Sequence, residues 1–265
     1  MTVTDGYAEV DGGRIWFERR GEGFPVVLVH PGFWDARIWD EQFDEFARHH
    51  DTIRYDLRGY GRSDPPLLTY SDLRDLRSLL GHLEVERCAV VGCGSGGRLA
   101  IDFALEYPET VDAIVPIAPG LSGYDWQDPG LEALVEEVDH LVRAGDVRRA
   151  MEIELAIWAP LSAGDPSTNV QVRDIAMDNA DVLRIDDLLT EDPPPAVPRL
   201  GDLQAATLVV VGDKDLREVH AIADLVAAAI PGAQKRVIAD ADLLVNVRKP
   251  EKFNRLVLDF LTFRM

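Results

Sequence analysis

The chain of 265 residues holds only two cysteines, and they do not read as a disulfide. Cys88 and Cys93 fall on one apparent strand and its turn, too close along an extended segment to bridge. Neither has the spacing of a zinc site and the six histidines are scattered, so no metal and no cofactor is expected. No apolar run is long enough to span a bilayer. The first twenty residues carry Asp5, Glu9, Asp11 and Glu18 where a signal peptide needs a continuous apolar stretch, so a cytoplasmic location is expected. Positive charge is also scarce: 27 Lys and Arg stand against 47 Asp and Glu, a formal net charge of -20. The phosphate backbone of nucleic acid and an anionic membrane surface would both repel such a chain. The expected partner is therefore a small organic molecule; nothing in the residues speaks to oligomeric state.

What is present is organised around Val90-Val91-Gly92-Cys93-Gly94-Ser95-Gly96-Gly97, an apolar run that breaks into glycine before the helically spaced Leu99, Ala100, Phe103 and Ala104. This reads as a buried strand, a sharp turn and a helix whose start faces a ligand. Ahead of it, two strands flank Asp11-Gly12-Gly13 as a hairpin, and Val26 to Val29 is a strand buried on both faces. Ile38 to His49 reads as a helix, Thr52 to Tyr55 as a strand, and Ser71 as the cap of a helix with Leu73, Leu76, Leu79, Leu80 and Leu83. After it, Val111 to Pro119 is a further strand. The strand and helix rhythm implies a parallel sheet with right-handed crossovers.

Between residues 121 and 200 the rhythm changes to three helical stretches, Leu131 to Val142, Val147 to Trp158 and about Val170 to Leu189, with no strand among them. The expected organisation is a core of residues 1–120 and 201–265 with an inserted helical cap of residues 121–200, which returns to the sheet through Asp192-Pro193-Pro194-Pro195. The sheet then resumes with Thr207 to Gly212, a helix from Ile222 to Ile230, a strand from Gln234 to Ile238 and a closing helix after Pro250.

Three site types use a glycine turn of this kind. Gly92, Gly94 and Gly97 satisfy Gly-x-Gly-x-x-Gly, and the loop also resembles the glycine loop of methyltransferases. A dinucleotide site needs an acidic residue at the end of the next strand, whereas Asp112 lies at its start and the strand ends Pro116-Ile117-Ala118-Pro119. The third type is a nucleophile elbow, and here several stretches agree in order. His30-Pro31-Gly32-Phe33 resembles the oxyanion loop of the α/β-hydrolase fold superfamily. Asp56-Leu57-Arg58-Gly59-Tyr60-Gly61-Arg62-Ser63 resembles its loop after the fourth strand, Gly212-Asp213-Lys214-Asp215 its acid turn, and Val245 to Phe253 its last loop and helix. The resemblance spans nearly the whole chain and implies an α/β fold: a mostly parallel central sheet flanked by helices, with the cap at residues 121–200.

The resemblance also implies where the chemistry should be, and there the residues depart from it. Gly-x-nucleophile-x-Gly-Gly puts the nucleophile at Gly94, and counting back from Pro250 puts the general-base histidine at Leu243. Of a Ser-His-Asp triad only the acid, Asp215, matches. Losing nucleophile and base together removes the acyl-enzyme route and leaves binding and an oxyanion hole. Ser95 follows the elbow residue, so its side chain points about 100° around the helix from it, and it reads as a helix-start residue rather than a nucleophile. Cys93 reads as a buried small hydrophobe rather than a reactive thiol. Glycine at 94 relieves the backbone strain of the elbow and also makes room for a bound group.

The remaining candidates carry open alternatives. Asp215, His30 and Asp242 are candidates for proton transfer, Asp215 and Asp242 as a carboxylate pair sharing a proton, His30 either as such a group or as hydrogen-bonded scaffold. The backbone amides at Phe33 and Ser95 are the oxyanion donors that the resemblance implies. Trp34, Trp126 and Trp158, with Phe33, suit an apolar or aromatic ligand or simply pack cap on core. Arg37, Arg58 and Arg98 offer charge for an acidic ligand, although Arg98 also has Asp102 four residues on. The reading is a repurposed fold that binds an apolar or aromatic molecule under its cap and catalyses a non-hydrolytic reaction of the cyclase, lyase or isomerase type. A ligand-binding pseudoenzyme and an unorthodox ester or C–C hydrolase are the alternatives. Acid and base groups with shifted pKa values lining the pocket favour catalysis; a wholly apolar pocket favours the pseudoenzyme.

Overall fold

The computed structural model describes residues 3–160, 166–185 and 189–262. Eight strands form one sheet in the order β1-β2-β4-β3-β5-β6-β7-β8: β1 (Thr4–Val10), β2 (Gly13–Arg20), β3 (Pro25–Val29), β4 (Asp51–Tyr55), β5 (Cys88–Cys93), β6 (Val111–Ile117), β7 (Ala206–Gly212) and β8 (Gln234–Ile238). The β1/β2 hairpin and the β2/β4 pair are antiparallel; every pairing from β4 to β8 is parallel. The central strands are Val- and Ile-rich because both faces are covered, and every residue of β5 is buried. Register brings the carboxyl ends of the central strands level: Val29 lies opposite Gly92, Cys93 opposite Ile117 and Ile117 opposite Val210. The loops after β3, β5 and β6 therefore open on one edge of the sheet, where ligands of such sheets bind.

The core helices are α1 (Asp40–Phe46), α2 (Asp72–His82) and α3 (Ser95–Glu106), then α7 (Arg217–Ala229), α8 (Val245–Arg248) and α9 (Pro250–Thr262). Between β6 and β7 the chain makes an excursion through α4 (Pro129–Arg143), α5 (Val147–Trp158) and α6 (Pro166–Asp178). Met151, Leu155, Val172 and Ile175 of this excursion join the main hydrophobic core, while Val138, Leu141 and Ala150 form a small cluster of their own between α4 and α5. No described helix is long and apolar enough to cross a membrane.

Among the boundaries that differ from the expectations, three have a local reason. The stretch from Ile38 to His49 divides into a 3-10 turn, Ala36–Trp39, and the shorter α1, because the Asp35 carboxylate accepts from the Arg37 amide and starts the turn early. The helix expected over 170–189 begins at Pro166 and ends at Asp178. Asn179 there spends its side chain on Ile175 O, Asp35 and the Gly61 amide, and a 3-10 turn follows at Ala180–Arg184. Residues 186–188 of that stretch lie outside the described residues. Ser71 precedes α2 but its hydroxyl makes no capping bond; its carbonyl accepts from the Asp75 amide instead.

Candidate active site

The turn from β5 into α3 depends on its glycines. A β-carbon on Gly96 would fall 2.4 Å from Val29 O, and one on Gly92 only 2.1 Å from Gly96 O, so strand and helix meet at a distance only glycine permits. The pattern that mimics a phosphate-binding loop is thus a packing device. Asp112 pairs with Arg87 at the far end of β6, away from any ribose the loop could hold. Gly94 sits at φ 55° and ψ −116°, its amide donating to Ile117 O at 2.9 Å and its carbonyl accepting from Gly120 N and Arg98 N, both at 3.1 Å.

Above this turn lies a cavity of about 450 Å³, within the size range of small-molecule sites. Its floor is Pro31, Gly32, Phe33, Gly94, Ser95 and Arg98, with Tyr60 and Leu243 at the side; its roof is Trp126, Leu131, Val135, Glu154 and Trp158 from the excursion. Trp34 also lines it, and its Nε1 donates to Val172 O at 3.0 Å, tying the loop after β3 to α6. Trp126 stands edge-on to both Trp158 and Tyr124, with centroids 6.0 Å apart in each pair. A larger groove between α1 and α9, about 800 Å³, is lined by charged residues such as Glu41, Asp44, Arg48 and Glu251 and lies away from the strand ends.

Gly94 and Leu243 face one another. A β-carbon on Gly94 would lie 3.5 Å from Leu243 Cδ1 and 3.2 Å from Pro31 Cβ. Leu243 is held in turn by its carbonyl, which accepts from the Cys93 thiol at 3.2 Å. Burial pushes that thiol well above its usual range, so Cys93 is inert packing.

Residues 26–256 match the profile of the alpha/beta hydrolase family. The chain belongs to the alpha/beta hydrolase family. Among its relatives, a protein of Bacillus subtilis (strain 168) with the provisional name 2-succinyl-6-hydroxy-2,4-cyclohexadiene-1-carboxylate synthase is 27% identical over 283 residues, covering 99% of this chain and 97% of that one. The 2-hydroxy-6-oxo-6-phenylhexa-2,4-dienoate hydrolase of Burkholderia cepacia is 25% identical over 292 residues, covering 94% and 91%. Among solved structures, Est816, described as an N-acyl homoserine lactone degrading enzyme, superposes with a TM-score of 0.80 at 29% identity, over 96% of this chain and 100% of that one.

Within this alpha/beta hydrolase, several expected site residues are engaged elsewhere. His30 takes the scaffold side of its two readings. Its Nδ1 donates to Pro31 O at 2.8 Å and its Nε2 accepts from Leu57 N at 2.9 Å. Full burial pushes it down to about 4, so the ring is neutral scaffold off the cavity wall and carries no proton to a ligand. Asp242 is engaged by Arg248, which grips both its oxygens at 3.1–3.2 Å, and its Oδ1 also accepts from Leu244 N. Asp215 accepts from Gly212 N at 2.7 Å, and burial, then the nearby Asp242 and Asp213 charges, lift it to about 7. The Asp242 charge bears on Asp215, but neither carboxylate lines the cavity, whereas Leu243 does.

The oxyanion loop is also changed from the expectation. The Gly32 amide donates to Ser95 Oγ at 2.7 Å, so that hydroxyl is held by the loop after β3. Phe33 itself has φ 70°. The Ser95 backbone amide, in the first turn of α3, has no intrahelical acceptor and remains at the cavity floor. Of the three arginines, Arg58 is locked bidentately on Asp75 at 2.8–2.9 Å and Arg37 on Asp35 and Asp178. Arg98 makes no ion pair among the described residues, not even with Asp102, whose Oδ2 accepts from Ser122 Oγ instead.

Glu154 is the site residue that sequence reasoning passed over. It is 7% exposed, lines the cavity roof and accepts from Trp158 Nε1 at 2.9 Å. Burial lifts its carboxyl to about 7. The signal was present: Val147, Ala150, Met151, Leu155 and Trp158 mark the inward face of α5, and Glu154 is the charged residue on that face. No group of three or more His, Cys, Asp or Glu among the described residues is arranged to hold a metal ion.

Proposed function

We propose that this alpha/beta hydrolase binds an apolar or aromatic small molecule bearing a carbonyl or carboxylate under its helical cap, residues 121–200, and transforms it without forming an acyl-enzyme. The observation that carries the reading is the facing pair Gly94 and Leu243: where a nucleophile would meet its imidazole, a hydrogen atom meets an isobutyl group. Without nucleophile or base at those positions, a proton cannot be drawn from a hydroxyl to open an ester. The chemistry left to the site is oxyanion stabilisation by the Ser95 amide, charge neutralisation by Arg98 and proton transfer. That set suits a cyclase, lyase or isomerase, a class to which a synthase among the relatives is congenial. A shifted carboxyl in the cavity wall, Glu154, favours catalysis over a purely ligand-binding role.

Hydrolysis by a different set of residues is the competing reading, favoured by the hydrolase relative and by Ser95 Oγ at the cavity floor. Exposure of the purified protein to a fluorophosphonate and a panel of aryl esters separates the two. No labelling and no turnover are expected, while intact-mass spectrometry under native conditions identifies the molecule that co-purifies. Stoichiometric labelling would overturn the proposal.

A further inference from the structure

Glu154 has no cation paired with it among the described residues, although burying a carboxylate alone is costly. It occupies a position on α5 that packing alone would fill with an aliphatic side chain. Its Oε2 is oriented by the Trp158 indole, and the Trp126 ring stands against that indole, so the carboxyl is fixed at the aromatic end of the cavity. The same cavity is lined by Ser95, whose backbone amide lies at the start of a 12-residue helix, and by Arg98. One cavity therefore holds a group that can exchange protons together with groups that can hold negative charge on oxygen.

We propose, on the reading of this cavity as a non-hydrolytic active site, that Glu154 is its proton-transfer residue and that the ligand class is an enolisable aryl or alkyl ketone. The ionised Glu154 takes a proton from the carbon beside the carbonyl. The C–H pair becomes the C=C bond of the enolate, and the carbonyl π pair moves to oxygen, where the Ser95 amide and Arg98 hold it. Glu154 then returns the proton to the same carbon or, in a conjugated ligand, to the far end of the extended enolate. No oxidant, reductant or water is consumed. The charged or titratable group that acts on Glu154 is Asp139 on α4, while Arg98 and Tyr60 line the same cavity.

The test is deuterium incorporation from D2O into benzoylpropionate and phenylbutanone, followed by proton NMR, with binding of each probe read from tryptophan fluorescence. Wild-type protein is expected to exchange the protons beside the carbonyl with a pH profile that rises through about 7. Glu154→Gln is expected to lose about 100-fold or more of the exchange rate, a typical general-base contribution, with probe affinity kept within about threefold. Glu154→Asp retains part of the rate, and near-UV circular dichroism checks that both variants fold. Removing the indole donor in Trp158→Phe shifts the profile to higher pH, because that bond favours the ionised carboxyl. Exchange that survives Glu154→Gln overturns the assignment. Binding without exchange overturns it too but leaves the cavity reading standing, and failure to bind either ketone overturns both.

Discussion

A β-carbon on Gly94 would rest 3.5 Å from the Leu243 side chain, so the two residues occupy one another's line of approach across the cavity floor. Restoring a hydroxyl and an imidazole there tests that relationship directly. Gly94→Ser alone places a side chain at φ 55° and against Pro31 Cβ, and should cost about 1–3 kcal/mol in urea denaturation while gaining no reactivity. Gly94→Ser with Leu243→His, beside the carboxylate of Asp215, should become labelled by fluorophosphonate. Labelling of the single variant Gly94→Ser at its new hydroxyl would show that a base other than position 243 serves the site.

The fold was legible because it rests on features that sequence states locally. Continuous valine runs mark strands buried on both faces, and Gly92 and Gly96 mark the crossing of β5 and α3. The pairing of positions 94 and 243 was implied by the resemblance of the two motifs to those of the α/β-hydrolase superfamily. The proton-transfer assignments were less legible, because the partner of a carboxylate is set by the fold. Nothing near Asp242 in sequence shows that Arg248 will wrap onto it, and His30 lost its freedom to Pro31 O and to Leu57, 27 residues away. Glu154 was hidden for the opposite reason: on a chain with 47 acidic residues, one more carboxylate on a helix attracts no notice until its face is known to point inward.

Acidification should stabilise this protein before it harms it. Burial raises Asp215 and Glu154 to about 7, and Asp56, Asp72 and Asp102 to about 6, all above their unfolded values. In that window the native state binds more protons than the unfolded one, so stability falls as pH rises through the folded pKa values. His30 and His50, both lowered by burial, act in the opposite sense, but they are two groups against five. The high negative charge of the chain adds to the same trend. Tm is expected to be higher at about pH 5.5 than at pH 8, with Glu154→Gln and Asp215→Asn each flattening the slope. A Tm that rises steadily from pH 5.5 to 8 would contradict the buried, uncharged carboxyls.

Ser95 Oγ accepts the Gly32 amide at 2.7 Å and so ties the loop after β3 to the start of α3. Ser95→Ala leaves that amide without its acceptor, at a cost of about 1–3 kcal/mol if the site stays dry. Hydrogen exchange should show the Gly32 amide losing protection while the amides of β5 keep theirs. If Ser95 were also a nucleophile, the variant would abolish ester turnover in addition to exposing the Gly32 amide.

His30 separates scaffold from chemistry most cleanly. Its ring satisfies two buried groups of the main chain, Pro31 O and Leu57 N, and stands edge-on to Tyr60 with centroids 5.1 Å apart. Its folded pKa, about 4, lies below the 6.5 of an unfolded histidine, so its contribution is present in full above pH 6.5 and is lost as pH falls toward 4. The shift corresponds to about 3 kcal/mol of stability at neutral pH relative to strongly acid solution. His30→Leu should remove that acid sensitivity and, by orphaning both backbone groups, destabilise the fold by about 2–5 kcal/mol at neutral pH. Ligand affinity per folded molecule, measured well below the new midpoint of unfolding, should change far less than stability does. A variant that stays as stable as the parent but loses proton exchange with bound ketone would return His30 to the chemistry and displace Glu154.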